Sequence, residues 1–354
     1  MTDWIRLQAG SDAYQQIQEN GLKQQDVGML LGASGGPKWF VLQGLDQFLF
    51  GEFFKDRKQP LDLLGTSAGA WRFASLGQPD SIAASNLFAE LYSSQTYSEK
   101  PDVNEITDEA RALLHKYIPD NVVPKILQQD IFRHHFIAVR CRGLVASERK
   151  LQLAGLLTSA VANGVNRKWL GRSFERVLFH HPRSDAAFSN SWNDFKTHKV
   201  PLSTDNFKSA LLASGSIPMV LHGVKDIPGA PPGIYRDGGI TDYHFDIDLG
   251  AVNGLVLYPH FHNQVIPGWF DKHIPWRRTL GTQWPKVVLM TPTEEFLARL
   301  PFGKIPDRKD FATLSAVDRY KYWQQAIEQG KWLADQLQEW IATDKIREKV
   351  RLWQ

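Results

Sequence analysis

The sequence predicts an α/β protein built on a largely parallel sheet with helices on both faces. Three observations carry that prediction: short apolar runs alternate with segments of helical periodicity, glycine-framed turns join the first two such pairs, and the composition is that of ordinary globular proteins, with 43% hydrophobic and 22% charged residues over 354 positions. Strands alternating with helices favour parallel pairing, because each crossover helix lies over a sheet face and buries it. No internal repeat, low-complexity tract or long Pro/Ser-rich linker divides the chain, so the expectation is one domain over 1–354 that carries insertions.

The elements follow in order. "DVGMLL" (26–31) reads as a strand that ends at glycines, and "PKWFVLQGLDQFLF" (37–50) as the helix after it. Pro37 suits a first helical position, where its fixed φ helps and its missing N–H costs nothing. A second unit repeats the plan, with "LDLL" (61–64), a glycine-framed turn and a helix through "AWRFASL" (70–76). Helices are expected at 80–92, at 105–117 and at 147–163, the last with Ser147 as N-cap. Apolar runs at 135–141, 174–180, 252–258 and 286–291 read as strands. A last long helix, 315–341, carries Trp323, Ile327, Trp332, Leu333, Leu337 and Trp340 and is expected to pack on the sheet.

Bulk charge and cysteine content narrow the function classes. The balance of 41 basic against 38 acidic side chains leaves a net charge of +3, which argues against a nucleic-acid partner. The single cysteine, Cys141, cannot form an internal disulfide, and no Cys/His spacing suggests a metal, so neither metal nor cofactor is expected. No basic region followed by an apolar stretch opens the chain, and no apolar run is long enough to span a bilayer. A reducing, cytoplasmic location fits these features, with any membrane contact peripheral. Composition leaves oligomeric state open.

Two stretches share the pattern Gly-x-Ser-x-Gly. In "LGTSAGAW" a strand precedes Ser67 and a helix follows it, the context of a tight turn that exposes a nucleophilic hydroxyl and demands small neighbours. The same turn is also an ordinary strand-to-helix connection. In "LGASGGPK" Ser34 is followed by Gly35, Gly36, Pro37 and Lys38 at a helix start, where consecutive N–H groups and the helix dipole can face an anion. That loop is open to three roles: a second nucleophile turn, a phosphate cradle, or an oxyanion hole serving Ser67. Neither the P-loop order nor Gly-x-Gly-x-x-Gly is present. The third piece is Asp237-Gly238-Gly239 in "GIYRDGGITDYHFD", either a turn or a carboxylate set beside approachable backbone.

Taken together, these motifs resemble the patatin-like phospholipase family. The resemblance covers residues 26 to 260 and includes Gly44 and "ALLASGSIPMVL" (210–221), which is similar to that family's Ala-Ser-x-x-Ile-Pro segment. It implies a three-layer α/β/α sandwich, a Ser-Asp dyad in place of a triad, no cofactor, and hydrolysis of lipid or small esters. By position, Ser67 matches the nucleophile, Asp237 the general base and 34–38 the oxyanion loop. Gly35 and Gly36, with Ala68 as a further donor, would then hold the oxyanion. The chain departs from the family at Ser34 and Trp39, which stand where glycines are usual, and in "ITDYHFD", which lacks the usual Asn and Pro.

Other candidates remain beside this one. Lys38 is either a contact for an anionic substrate or a surface cation of the first helical turn. An α/β-hydrolase triad would draw its base from His244, His260 or His262. A non-catalytic protein could use the Gly-rich loop to bind an anionic ligand or a partner. "HFHNQVIPGWFDKHIPWRRT" (260–279) interleaves Phe261, Trp269, Phe270 and Trp276 with Lys272, Arg277 and Arg278, which suits either a membrane interface or a loop whose rings pack inward.

Overall fold

A computed structural model describes residues 2–354. Among these, eleven strands form one sheet: β1 (Ile5–Ala9), β2 (Val27–Gly32), β3 (Leu61–Thr66), β4 (Phe132–Cys141), β5 (Phe174–His180), β6 (Thr197–Pro201), β7 (Val224–Lys225), β8 (Ile234–Asp237), β9 (Leu255–Pro259), β10 (Val287–Pro292) and β11 (Val350–Leu352). Their spatial order is β11-β1-β10-β9-β2-β3-β4-β5-β6, with β8 joined to β4 and β7. The centre, β10-β9-β2-β3-β4, is parallel throughout. Antiparallel pairs occur where β1 meets β10, where β4 meets β5, and where β8 meets β4 and β7.

The parallel centre exists because both of its faces are covered. Along β4, Phe136 and Ala138 face one hydrophobic cluster with Leu113 and Tyr117 of the helix Val103–Tyr117, while Ile137 faces the opposite cluster. Val177 and Phe179 of β5 alternate with Leu178 in the same way. This is the expected α/β sandwich. The long helix runs Ala316–Ala342 and buries Trp323, Leu333, Leu337 and Trp340, as its spacing implied. Ile327 and Trp332 are partly buried against the two clusters.

Three local expectations change. The helix after β2 begins as a 3₁₀ segment, Gly36–Leu42, and becomes α-helical only over Gln43–Phe48. Ser147 is not an N-cap: its N–H closes the preceding turn onto Leu144 O, and Glu148 holds the cap position of Arg149–Val165. Short elements, β1, β6, β7, β8 and β11, add to the strands expected from apolar runs.

Candidate active site

β4 acts as a ruler for the site. Its first half pairs with β3, ending at Thr66 opposite Ile137, and on the same edge its second half pairs with β8, beginning at Asp237 opposite Ala138. Consecutive residues of one strand therefore set the end of β3 against Asp237. Ser67, the residue after β3, is the first beyond the sheet, and Asp237 is its neighbour across 170 positions of sequence. Its hydroxyl donates to Asp237 Oδ2 at 2.7 Å.

Ser67 is held in a backbone conformation that few non-glycine residues adopt, with φ 52 and ψ −126. Such strain is kept only where the surroundings over-determine it, and it costs about 1–3 kcal/mol. Three restraints are visible. The Ser67 N–H donates to Ser214 Oγ at 2.9 Å, and that hydroxyl donates to Ile137 O at 2.7 Å, tying the turn to β4. Gly69 lets the following helix, Ala68–Leu76, press against β2: a Cβ there would lie 2.0 Å from Gly32 O. Deeper in that helix, Arg72 pairs with Asp46 at 3.0 Å, with both side chains at most 2% exposed. Removing one partner of such a buried pair costs about 3–5 kcal/mol, so the pair anchors the helix.

Asp237 has its second oxygen filled by the Gly239 N–H at 2.7 Å, and its own N–H donates to Ser216 O at 3.0 Å. Burial pushes its carboxyl up to about 6, partly opposed by the bonds from Ser67 and Gly239 and by the cations Arg308 and Lys272. The carboxylate is enclosed, 6% exposed, and its acidity lies much nearer neutrality than that of a solvated aspartate.

The Gly-rich loop lies opposite. Ser34 donates its N–H to Tyr243 O at 2.9 Å, and its hydroxyl lies 3.5 Å from Thr66 Oγ1. Gly36 has φ +57, and Gly35 sits so close to Phe261 that a Cβ would meet the ring at 2.5 Å. Among the described residues, the N–H groups of Gly35, Gly36 and Ala68 have no acceptor, and all three residues line the same cavity as Ser67 and Asp237. The bulk of Trp39 is accommodated behind this loop. Trp39 is buried and stacks on Phe88, with ring centroids 4.9 Å apart.

The cavity measures about 600 Å³, within the range of small-molecule sites. Trp71, Phe88, Leu113 and Val220 give it apolar walls. Cations stand at one side. Lys38 is not a free surface cation: it is three-quarters buried at its side chain, pairs with Asp307, and is lowered to about 8 by burial and by Arg308. Lys272 lies 4.1 Å from the Tyr243 ring centroid and is likewise lowered to about 8, chiefly by burial. Arg308 has no acidic partner among the described residues, and its aliphatic stem lies over Gly36. Sequence reasoning gave no role to Ser214, Tyr243 or Arg308. Arg308 carries no motif signal, whereas Ser214 is the serine of the Ala-Ser-x-x-Ile-Pro match in 210–221 and Tyr243 lies in the quoted 233–246 stretch.

The candidate histidines bond elsewhere. His244 Nδ1 accepts from the Ile266 N–H at 3.1 Å, His260 Nδ1 from the His262 N–H at 2.9 Å, and His262 Nδ1 from the Gln264 N–H at 3.0 Å. Burial lowers His244 far below the ordinary histidine value and His260 to about 3, so both are neutral. In the 260–279 loop most rings turn inward: Phe261 is buried, Trp269 lines the cavity, Phe270 meets Phe174, and Trp276 is exposed. Arg277 pairs with Asp271, and Arg278 donates to backbone carbonyls. No helix among the described residues is long and apolar enough to cross a membrane, and no cluster of His, Cys, Asp and Glu there is arranged to hold a metal.

No protein-family model and no curated protein matches the chain. Among solved structures it is similar to human GIVD cytosolic phospholipase A2, with a TM-score of 0.32 and 11% identity, over 95% of this chain and 62% of that one. The chain thus spans less than two thirds of the length of that structure, and at this TM-score the likeness carries no functional inference.

Proposed function

We propose that the protein is a serine acyl hydrolase that cleaves carboxylic esters of lipids or small molecules through an acyl-enzyme on Ser67. The observation that carries this reading is the 2.7 Å hydrogen bond from Ser67 to a buried Asp237, made by a serine strained at a strand-to-helix turn on the wall of an apolar cavity. Asp237 accepts the Ser67 proton as Oγ attacks the ester carbonyl. The oxyanion is held by the N–H groups of Gly35, Gly36 and Ala68, which have no other acceptor. The intermediate collapses as the proton passes from Asp237 to the departing alkoxide. Water then enters, gives its proton to Asp237 and attacks the acyl-enzyme, and Ser67 leaves with that proton. Apolar walls suit an acyl chain, and Lys38 is a candidate contact for an anionic part of the substrate.

The test is labelling of the folded protein with a fluorophosphonate, followed by turnover of a panel of esters, thioesters and phospholipids. The expected result is a single adduct on Ser67, absent from Ser67→Ala, and turnover lost in the same variant. The unpaired Arg308 in the cavity favours a second reading, an anion-binding protein without chemistry. Folded protein that takes no label while retaining a bound anionic lipid establishes that reading instead.

A further inference from the structure

The helix Arg149–Val165 turns several polar side chains inward. Beside Gly155 and Leu156, its inner face carries Gln152, Ser159 and Asn163, each at most 2% exposed. Gln152 Oε1 accepts the Met219 N–H at 3.1 Å, Ser159 Oγ donates to Gly155 O at 2.8 Å, and Asn163 Nδ2 donates to Asp271 Oδ1 at 2.8 Å. Its outward face carries Leu153, Leu157, Val161 and Val165, one above another at successive turns and 46%, 60%, 72% and 66% exposed. A helix on a water-facing surface ordinarily turns such a stripe to the core. A contiguous exposed stripe instead marks a surface made to be covered.

Charge identifies the cover. From Arg149 to Phe174 the chain has no acidic residue, whereas Arg149, Lys150, Lys168 and Arg172 are exposed at the two ends of the stripe. None of these four has an acidic partner among the described residues; the fifth cation, Arg167, is spent inward on Asp194 and Asp271. Trp169 is 39% exposed beside them, with the Arg172 guanidinium 5.1 Å from its ring. A second copy packed about a two-fold axis would meet this patch with itself, cation against cation. An anionic bilayer answers both the stripe and its charged ends. The face also adjoins the cavity. On the helix's inner side Leu156 joins Ile240, with Trp269 packed against their cluster, and Ile240 and Trp269 line the cavity.

We propose that the helix Arg149–Val165 docks this protein on an anionic lipid surface, with Leu153, Leu157, Val161 and Val165 among the acyl chains and the four flanking cations at the headgroups. The inference stands apart from the hydrolase reading, since binding is measured without turnover. The test is co-sedimentation of the full chain with vesicles of equal parts phosphatidylcholine and phosphatidylglycerol, against vesicles of phosphatidylcholine alone. Wild type should favour the anionic vesicles, with binding that falls as salt rises. Leu157→Ser/Val161→Ser and, separately, Lys150→Glu/Lys168→Glu/Arg172→Glu should each weaken it by roughly ten-fold or more. Thermal melts of the variants report folding whether or not the protein hydrolyses esters. Equal or absent binding to both vesicle types overturns the proposal. So does a wild-type dimer in ultracentrifugation that Leu157→Ser/Val161→Ser converts to monomer, which would assign the stripe to a second copy.

Discussion

The same five-residue pattern occurs twice in this chain and is used differently each time. Around Ser67 the backbone is driven to φ 52, the N–H is captured by Ser214, and the hydroxyl has a carboxylate acceptor. Around Ser34 no positive φ falls on the serine, its N–H bonds to Tyr243 O, and its hydroxyl reaches only Thr66 Oγ1 at 3.5 Å. The glycines differ as well. Gly69 allows contact between helix and strand, whereas Gly35 and Gly36 line the cavity with N–H groups that have no acceptor among the described residues. A Gly-x-Ser-x-Gly match therefore reports small residues at a turn, and the partner of the hydroxyl decides the role.

The sharpest way to break this contrast is to exchange the serines' fates. Ser67→Ala should lower ester turnover by at least roughly a thousandfold with the fold intact by circular dichroism. If Ser34→Ala were the inactive variant, the two roles would be reversed. Next, Gly35→Ala should cost roughly ten- to hundredfold in kcat if the proposed mechanism holds, because its Cβ meets the Phe261 ring and displaces the loop whose N–H groups are proposed to hold the oxyanion. Gly69→Ala should act on stability instead, lowering it by about 1–3 kcal/mol or more in urea unfolding, because backbone at Gly32 blocks the new methyl.

Asp237 gives the comparison a pH axis. Its carboxyl is raised from 3.8 to about 6, so kcat/KM should rise through pH 6 as the base loses its proton and level off above. The sign for stability is opposite. The folded state binds this proton more tightly than the unfolded chain, so stability is greatest below the unfolded value and declines as pH rises from 3.8 to about 6. Asp237→Asn removes that penalty, on the order of 3 kcal/mol at neutral pH. It should therefore abolish turnover yet melt a few degrees higher at pH 7, a gain that vanishes near pH 4. A melting temperature that does not rise at neutral pH would contradict an enclosed, ionised Asp237. The smallest effect is expected at Ser34, where replacement by Ala should change turnover by less than roughly threefold, since its hydroxyl makes only one long contact.

Sequence legibility followed the same division between local and distant causes. β2, β3, β5 and β10 were visible because strands buried on both faces read as continuous apolar runs. β1 was missed although Ile5, Leu7 and Ala9 alternate with half-buried residues, because "IRLQA" is short and half polar. Only four residues long, β8 takes its order from β4 and gave no periodic signal of its own. At the candidate site, Ser67, Asp237, Gly35 and Gly36 were marked by motif, and the structure gathers them in one cavity. Ser214 lay in a marked segment but was given no role, because a hydroxyl that braces a turn shows its task only once the chain is folded, and Arg308, a cation that arrives from the far end of the chain, was not marked at all. The direction of Trp39 was equally hidden: the sequence showed only a bulky residue where a glycine is usual, and it became part of the aromatic core beneath the loop.

The alignment of Thr66 and Asp237 on neighbouring residues of β4 has a consequence for how such a site can vary. A ladder offers positions only in steps of about 3.3 Å, so a slip by one residue carries Asp237 beyond hydrogen-bond reach of Ser67 and turns its side chain to the other face. No gradual loosening lies between those states. Wall residues, loop cations and the outer helix can drift by substitution, while the spacing of acid and hydroxyl is inherited whole or lost at once.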